Sequence, residues 1–87
     1  MPLYLIERRF AEQLDLTDEA VNAIQAVNAD VGVHWLFSFL SADKLQWYCL
    51  FEAPSPAALQ AASGWANLPV EAIIEVDRLD PSAFVPS

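Results

Sequence analysis

The stretch Val33-His34-Trp35-Leu36-Phe37-Ser38-Phe39-Leu40-Ser41-Ala42-Asp43-Lys44-Leu45-Gln46-Trp47-Tyr48-Cys49-Leu50-Phe51-Glu52-Ala53 reads as two long apolar strands around a short polar turn. In its first half the odd positions Val33, Trp35, Phe37 and Phe39 are bulky, while His34 and Ser38 are mildly polar. In its second half Trp47, Cys49, Phe51 and Ala53 alternate with Gln46, Tyr48, Leu50 and Glu52. Period two is the repeat of a strand. Loop length then decides which residues share a face. A two- or four-residue loop around Asp43-Lys44 would put His34, Ser38, Cys49 and Phe51 on one side, whereas a three- or five-residue loop would separate His34 from Cys49. We favour the odd length, because it gathers Val33, Trp35, Phe37, Phe39, Trp47, Cys49 and Phe51 into one face for helices to cover. The other face then carries His34, Leu36, Ser38, Leu40, Tyr48, Leu50 and Glu52.

Upstream, Leu3-Tyr4-Leu5-Ile6-Glu7-Arg8-Arg9-Phe10 begins apolar and turns charged, and it reads as a strand placed centrally in its sheet, with Pro2 at its edge. Thr17 before Asp18 and Glu19 predicts a helix N-cap with acids in the first turn. That helix runs to about Ala29, with Val21, Ile24, Val27 and Val31 on a buried stripe and Asn22, Gln25 and Asn28 toward water. Gly32 stops it. Downstream, Ser55-Pro56 opens a second helix. Its apolar stripe is Leu59, Ala62 and Ala66, with Ala58 and Trp65 beside it. Gly64 costs this helix about 1 kcal/mol against Ala, which points to a close packing approach there. Asn67, Leu68 and Pro69 end it. Val70 to Asp77 is the last strand, and a tail over 78–87 is broken by Pro81 and Pro86 and anchored by Phe84.

The order β-α-β-β-α-β in a single domain over 1–87, with its core over about 2–77, predicts an α+β fold of the ferredoxin-like plait type. Both helices cover one face of a four-stranded antiparallel sheet. The other face is bare and apolar. Pairing two such faces buries it, so a homodimer of the dimeric α+β barrel type is expected.

Composition narrows the partners. Twelve acids against four bases give a net charge of −8, the wrong sign for a nucleic-acid backbone or an anionic membrane surface. Hydrophobic residues make up 55% of the 87-residue chain, more than a small monomer hides easily, which again points to a subunit interface. A single Cys excludes an internal disulfide, and the absence of a leader pattern makes the cytoplasm the expected location. No apolar run approaches the roughly 20 residues that span a bilayer.

Residues that carry chemistry are few. His34 is the sole side chain with an unperturbed pKa near neutrality, so acid–base or imidazole-ligand work must use it. A metal site would join His34 and Cys49 with a carboxylate, Glu52 or Glu7, or with the same residues of a second subunit. Trp35, Phe37, Trp47, Tyr48 and Phe51 could line a pocket for a flat apolar ligand, with core packing as the rival reading. The two glycines, Gly32 and Gly64, lie far apart and form no phosphate loop.

The segments Met1-Pro2-Leu3-Tyr4-Leu5-Ile6-Glu7-Arg8, Val33-His34-Trp35-Leu36, Tyr48-Cys49-Leu50-Phe51-Glu52-Ala53-Pro54, and Leu68-Pro69 before Ile73-Ile74-Glu75-Val76 resemble a family of small bacterial plait domains of unknown function that includes a nickel-binding protein. The resemblance implies a ferredoxin-like dimer and raises Cys49, at the family's recurrent Cys, as a ligand candidate. Around Ala62 and Ser63, where many members carry a His, this chain has none. The expected function is a small dimeric domain that binds a ligand or a transition metal such as nickel without catalysis. The alternatives are an enzyme resembling the cofactor-independent monooxygenases and isomerases, using His34 and an aromatic pocket, and a purely structural interaction module.

Overall fold

The computed structural model describes residues 1–84. Its elements follow the expected order: β1 (Leu3–Arg9), α1 (Asp18–Asp30), β2 (His34–Leu40), β3 (Gln46–Glu52), α2 (Pro56–Trp65) and β4 (Ala72–Val76), with a 3-10 turn at Pro81–Phe84. The side chain of Phe84, expected to anchor the tail, lies outside the described residues. The sheet order is β2-β3-β1-β4, and every neighbouring pair is antiparallel. This is the ferredoxin-like arrangement, with β1 paired on both sides as its apolar content required.

Local chemistry sets the helix ends. Thr17 accepts the Ala20 N–H at 3.1 Å and Ser55 accepts the Ala58 N–H at 3.2 Å, so each cap satisfies one donor that the first turn leaves free. Pro56 stands at the start of α2. Gly32 (φ 71°) and Asn67 (φ 57°) take the left-handed conformation that turns the chain out of each helix. Gly64 does not mark a close approach: a Cβ there would meet nothing within 4 Å.

The core lies between the sheet and both helices. Tyr4 and Ile6 from β1, with Trp47, Cys49 and Phe51 from β3, pack against Ile24 of α1 and Leu59 and Ala62 of α2. Asn28, expected to face water, is instead 3% exposed. It lies four residues after Ile24 on the buried stripe, so helical period overrides its polarity.

The hairpin corrects the expected parity. The loop is even, not odd: Leu40 pairs with Trp47 and the Ser41 N–H donates to the Gln46 carbonyl at 2.9 Å, leaving residues 42–45 as a four-residue loop. Lys44 turns the chain at φ 62°, and the Asp43 carboxylate accepts from the Ser41 hydroxyl (2.6 Å) and the Leu45 N–H (3.1 Å). These bonds hold the Asp43 carboxyl below the usual carboxylate range.

That loop alone would bring His34 to the face of Cys49. A bulge prevents it. Trp35 pairs with Phe51 and Phe37 pairs with Leu50, so Leu36 is an extra residue opposite no partner. Below the bulge His34 faces Glu52 on the open side and Trp35 packs inward; above it Phe37 and Phe39 point outward and Ser38 pairs with Cys49. Phe37 and Phe39, expected beneath the helices, are therefore 51% and 65% exposed and meet edge-on at 5.5 Å. Across the bulge the Trp35 indole N–H donates to the Ser38 hydroxyl at 2.6 Å, and its ring stands edge-on to Trp47 at 5.5 Å.

Because Leu36 is the unpaired residue, deleting it leaves every cross-strand partner unchanged, whereas deleting Ala42 alters the parity of the loop. We expect the Leu36 deletion to stay folded at a cost below about 3 kcal/mol and the Ala42 deletion to cost more. Urea unfolding with NMR contacts between Trp35 and Phe51 checks this; a Leu36 deletion that loses those contacts contradicts the register.

Candidate functional site

The open sheet face is built from the outward positions of all four strands. Leu3, Leu5 and Glu7 come from β1, Ile74 and Val76 from β4, Tyr48, Leu50 and Glu52 from β3, and His34, Leu36, Phe37 and Phe39 from β2. Both helices lie on the other side, so no helix among the described residues covers this face. Leu36, Phe37, Phe39 and Ile74 are exposed large hydrophobics. A solvated sheet face ordinarily carries polar residues, so this contiguous apolar surface is the molecule's clearest functional feature.

At one end the face sinks into a hollow of about 550 Å³. Its floor and walls are Leu3, Leu36, Phe37, Leu50 and Val76, and Glu52, Asp77 and Arg78 supply the charged groups. An apolar floor with a few charges is the composition of a small-ligand site. The bulge makes the hollow: it sends the consecutive residues Leu36 and Phe37 to the same cavity, which regular alternation forbids.

The five aromatics read as a pocket divide between the two faces. Trp47 and Phe51 are buried in the core and Trp35 is half-buried against Trp47, while Phe37 and Tyr48 belong to the open face. Of these only Phe37 borders the hollow.

The metal candidates divide in the same way. His34 and Glu52 are direct cross-strand neighbours on the open face. Cys49 is 1% exposed beneath the helices, opposite Ser38. Burial pushes its thiol up, against the Ser38 hydroxyl and the Arg8 guanidinium, which pull the other way. Glu7 lies on the open face too, paired with Tyr48. Among the described residues no group of three His, Cys, Asp or Glu converges to hold a metal ion. His34 is exposed and is not among the residues around the hollow.

Two polar residues in the core were not identified as buried from the sequence. Arg8 is 2% exposed and reaches the core from β1, where its Nη1 donates to Ser63 Oγ (3.1 Å) and to the Pro69 carbonyl (2.9 Å). The period of β1 contains the signal, since Tyr4, Ile6 and Arg8 share one face. Asn28 is the other, placed by the Ile24 stripe.

A buried thiol with a raised pKa has two expected consequences. Thiol labelling of the native protein should be at least about 100-fold slower than of the unfolded chain. The folded protein also keeps its proton where the unfolded chain releases it, so stability is complete below about pH 8.5 and falls as pH rises above it. In Cys49→Ala that fall should be shallower above about pH 8.5; identical slopes in denaturant titrations contradict the assignment.

Residues 4–76 match the family described as "Nickel responsive protein SCO4226-like". The crystal structure of SCO4226 from Streptomyces coelicolor A3(2) superposes on this chain with a TM-score of 0.75 at 26% sequence identity, covering 90% of this chain and 99% of the other. No curated protein matches the chain. The match spans both helices and all four strands, as the resemblance read from the strand segments implied, and the chain belongs to the nickel-responsive SCO4226-like family.

Proposed function

We propose that this protein is a non-catalytic homodimer that pairs two open sheet faces and holds a small apolar ligand in the seam. The carrying observation is the open face itself, with Phe37 and Phe39 more than half exposed beside a hollow of about 550 Å³. A second copy is the occupant that suits it, because the face is self-similar in chemistry and sheet-on-sheet packing needs no groove. Each copy carries a charge of −8, so long-range repulsion opposes the pairing and added salt should tighten it.

The family's nickel response bears on the ligand. One chain does not fit a nickel ion: His34 and Glu52 face each other, but Cys49 lies on the far side of the sheet. Nickel suits imidazole and oxygen donors, so His34 and Glu52 from two copies facing each other across the seam would supply a four-donor set. The enzyme reading has less support, because His34 is exposed and stands outside the hollow where a substrate would be enclosed.

Size exclusion with light scattering at micromolar concentration should give twice the 9.6 kDa chain mass. Phe39→Glu with Phe37→Ser should weaken association at least about 100-fold, and a wild type that stays monomeric overturns the proposal. A neutral naphthylamine fluorophore should bind the dimer and not the variant. Calorimetric titration with Ni²⁺ separates the metal version: saturable heat that disappears in His34→Ala supports it, and heat unchanged in that variant removes His34 from the site.

A further inference from the structure

Among the described residues the core holds one charged group, and it is a cation with no buried carboxylate beside it. All twelve side-chain carboxylates lie among the described residues and none of them is buried. The one ion pair among the described residues joins Arg9 to Glu71 at 3.7 Å on the surface. Arg8 nevertheless sits 2% exposed, with neutral partners: the Ser63 hydroxyl, the Pro69 carbonyl, the Cys49 thiol and the face of Trp47, 5.8 Å from the guanidinium carbon. These satisfy one nitrogen and part of the field. They do not neutralise the charge, and an arginine stays protonated in a protein. Burying an unpaired charge is among the costliest arrangements a core can contain.

Two further facts converge on the same place. The Nε of Arg8 and the Nδ2 of Asn28 are buried and have no hydrogen-bond partner. Both residues line one small cavity between the sheet and the helices, together with Ile24, Phe51, Leu59 and Ser63, in which the centre of a water-sized particle has about 10 Å³ of room. That is room for a single water-sized particle. Both orphan groups are N–H donors, so the occupant must accept hydrogen bonds. A water would accept both and leave the positive charge uncompensated. A monoatomic anion accepts both and neutralises the charge. Cys49, the one ionisable neighbour, is a poor substitute because burial holds it as a thiol.

We propose that this cavity is a binding site for a small monoatomic anion of the chloride class, held between the Nε–H of Arg8 and the Nδ2–H of Asn28. It is independent of whatever the open face binds. The ion acts as a structural counterion and stabilises the folded state by mass action.

Thermal unfolding of the wild type in sodium chloride against sodium gluconate at equal ionic strength tests the proposal. Between 10 and 500 mM chloride the midpoint should rise above the gluconate series by about 3–10 °C. Asn28→Asp puts a carboxylate of the same shape against Arg8 and should make the midpoint insensitive to chloride. Crystals of the wild type grown in bromide should show an anomalous peak between Arg8 and Asn28, a reading that needs no variant to fold. Equal midpoints in the two salts, an undiminished chloride response in Asn28→Asp, or a cavity that holds only water in bromide would each overturn it.

Discussion

Two parity changes in one hairpin govern this structure. A four-residue loop assigns Ser38 and Cys49 to the helix side, and one supernumerary residue, Leu36, reverses the assignment for everything below it. Had either change occurred alone, His34 or Trp35 would lie on the wrong side of the sheet. A polar imidazole under the helices and an indole in water would both be unfavourable. The bulge thus lets a strand with aromatics at 35, 37 and 39 divide them, one to the core and two to the open face. The core gains the Trp35–Trp47 contact, and the open face gains Phe37 and Phe39. The hollow follows from the same irregularity, since it needs Leu36 and Phe37 side by side.

Element order was legible because its signals are local. Thr17 and Ser55-Pro56 announce helix starts, Gly32 and Asn67 announce exits, and apolar runs between them have the length of strands. The loop parity was not legible. The segment Ser41-Ala42-Asp43-Lys44-Leu45 contains no Asn-Gly or Asp-Gly pair to fix a two-residue turn, and the left-handed residue proves to be Lys44, a type with no special preference for that conformation. The bulge was hidden for a different reason: Leu36 is apolar, and its neighbours on both faces are apolar, so a slip costs the pattern nothing visible. The separation of His34 from Cys49 was expected from an odd loop and arises instead from an even loop with a bulge.

The site was legible to a similar degree. His34 and Glu52 could be paired by alternation along each strand, yet the hollow beside them depends on Leu36, which carried no functional signal. Arg8 and Asn28 show the opposite failure. Their positions were readable, Arg8 from the two-residue period of Tyr4 and Ile6 and Asn28 from the four-residue step after Ile24. Polarity argued Asn28 into solvent, and Arg8 was read only as part of a strand that turns charged. Periodicity was the stronger constraint in both cases, because a strand or helix that packs one face buries whatever stands on it.

An acidic chain that buries an arginine and none of its Asp or Glu side chains is physically informative. With twelve acids against four bases, a carboxylate at an inward position would have been the simple partner for Arg8. The inward positions near it hold neutral groups instead: Asn28, Ser63 and the Trp47 ring. Each can orient toward a cation's N–H groups or share an occupant with them, and none carries compensating charge. The same economy operates on both sides of β3, whose successive residues Leu50, Phe51 and Glu52 serve the hollow, the cavity and the hollow again. An 87-residue plait has one sheet and two helices with which to enclose everything it binds. Its covered face can exclude water from a single ion, whereas its open face has to take a second surface before anything there is enclosed.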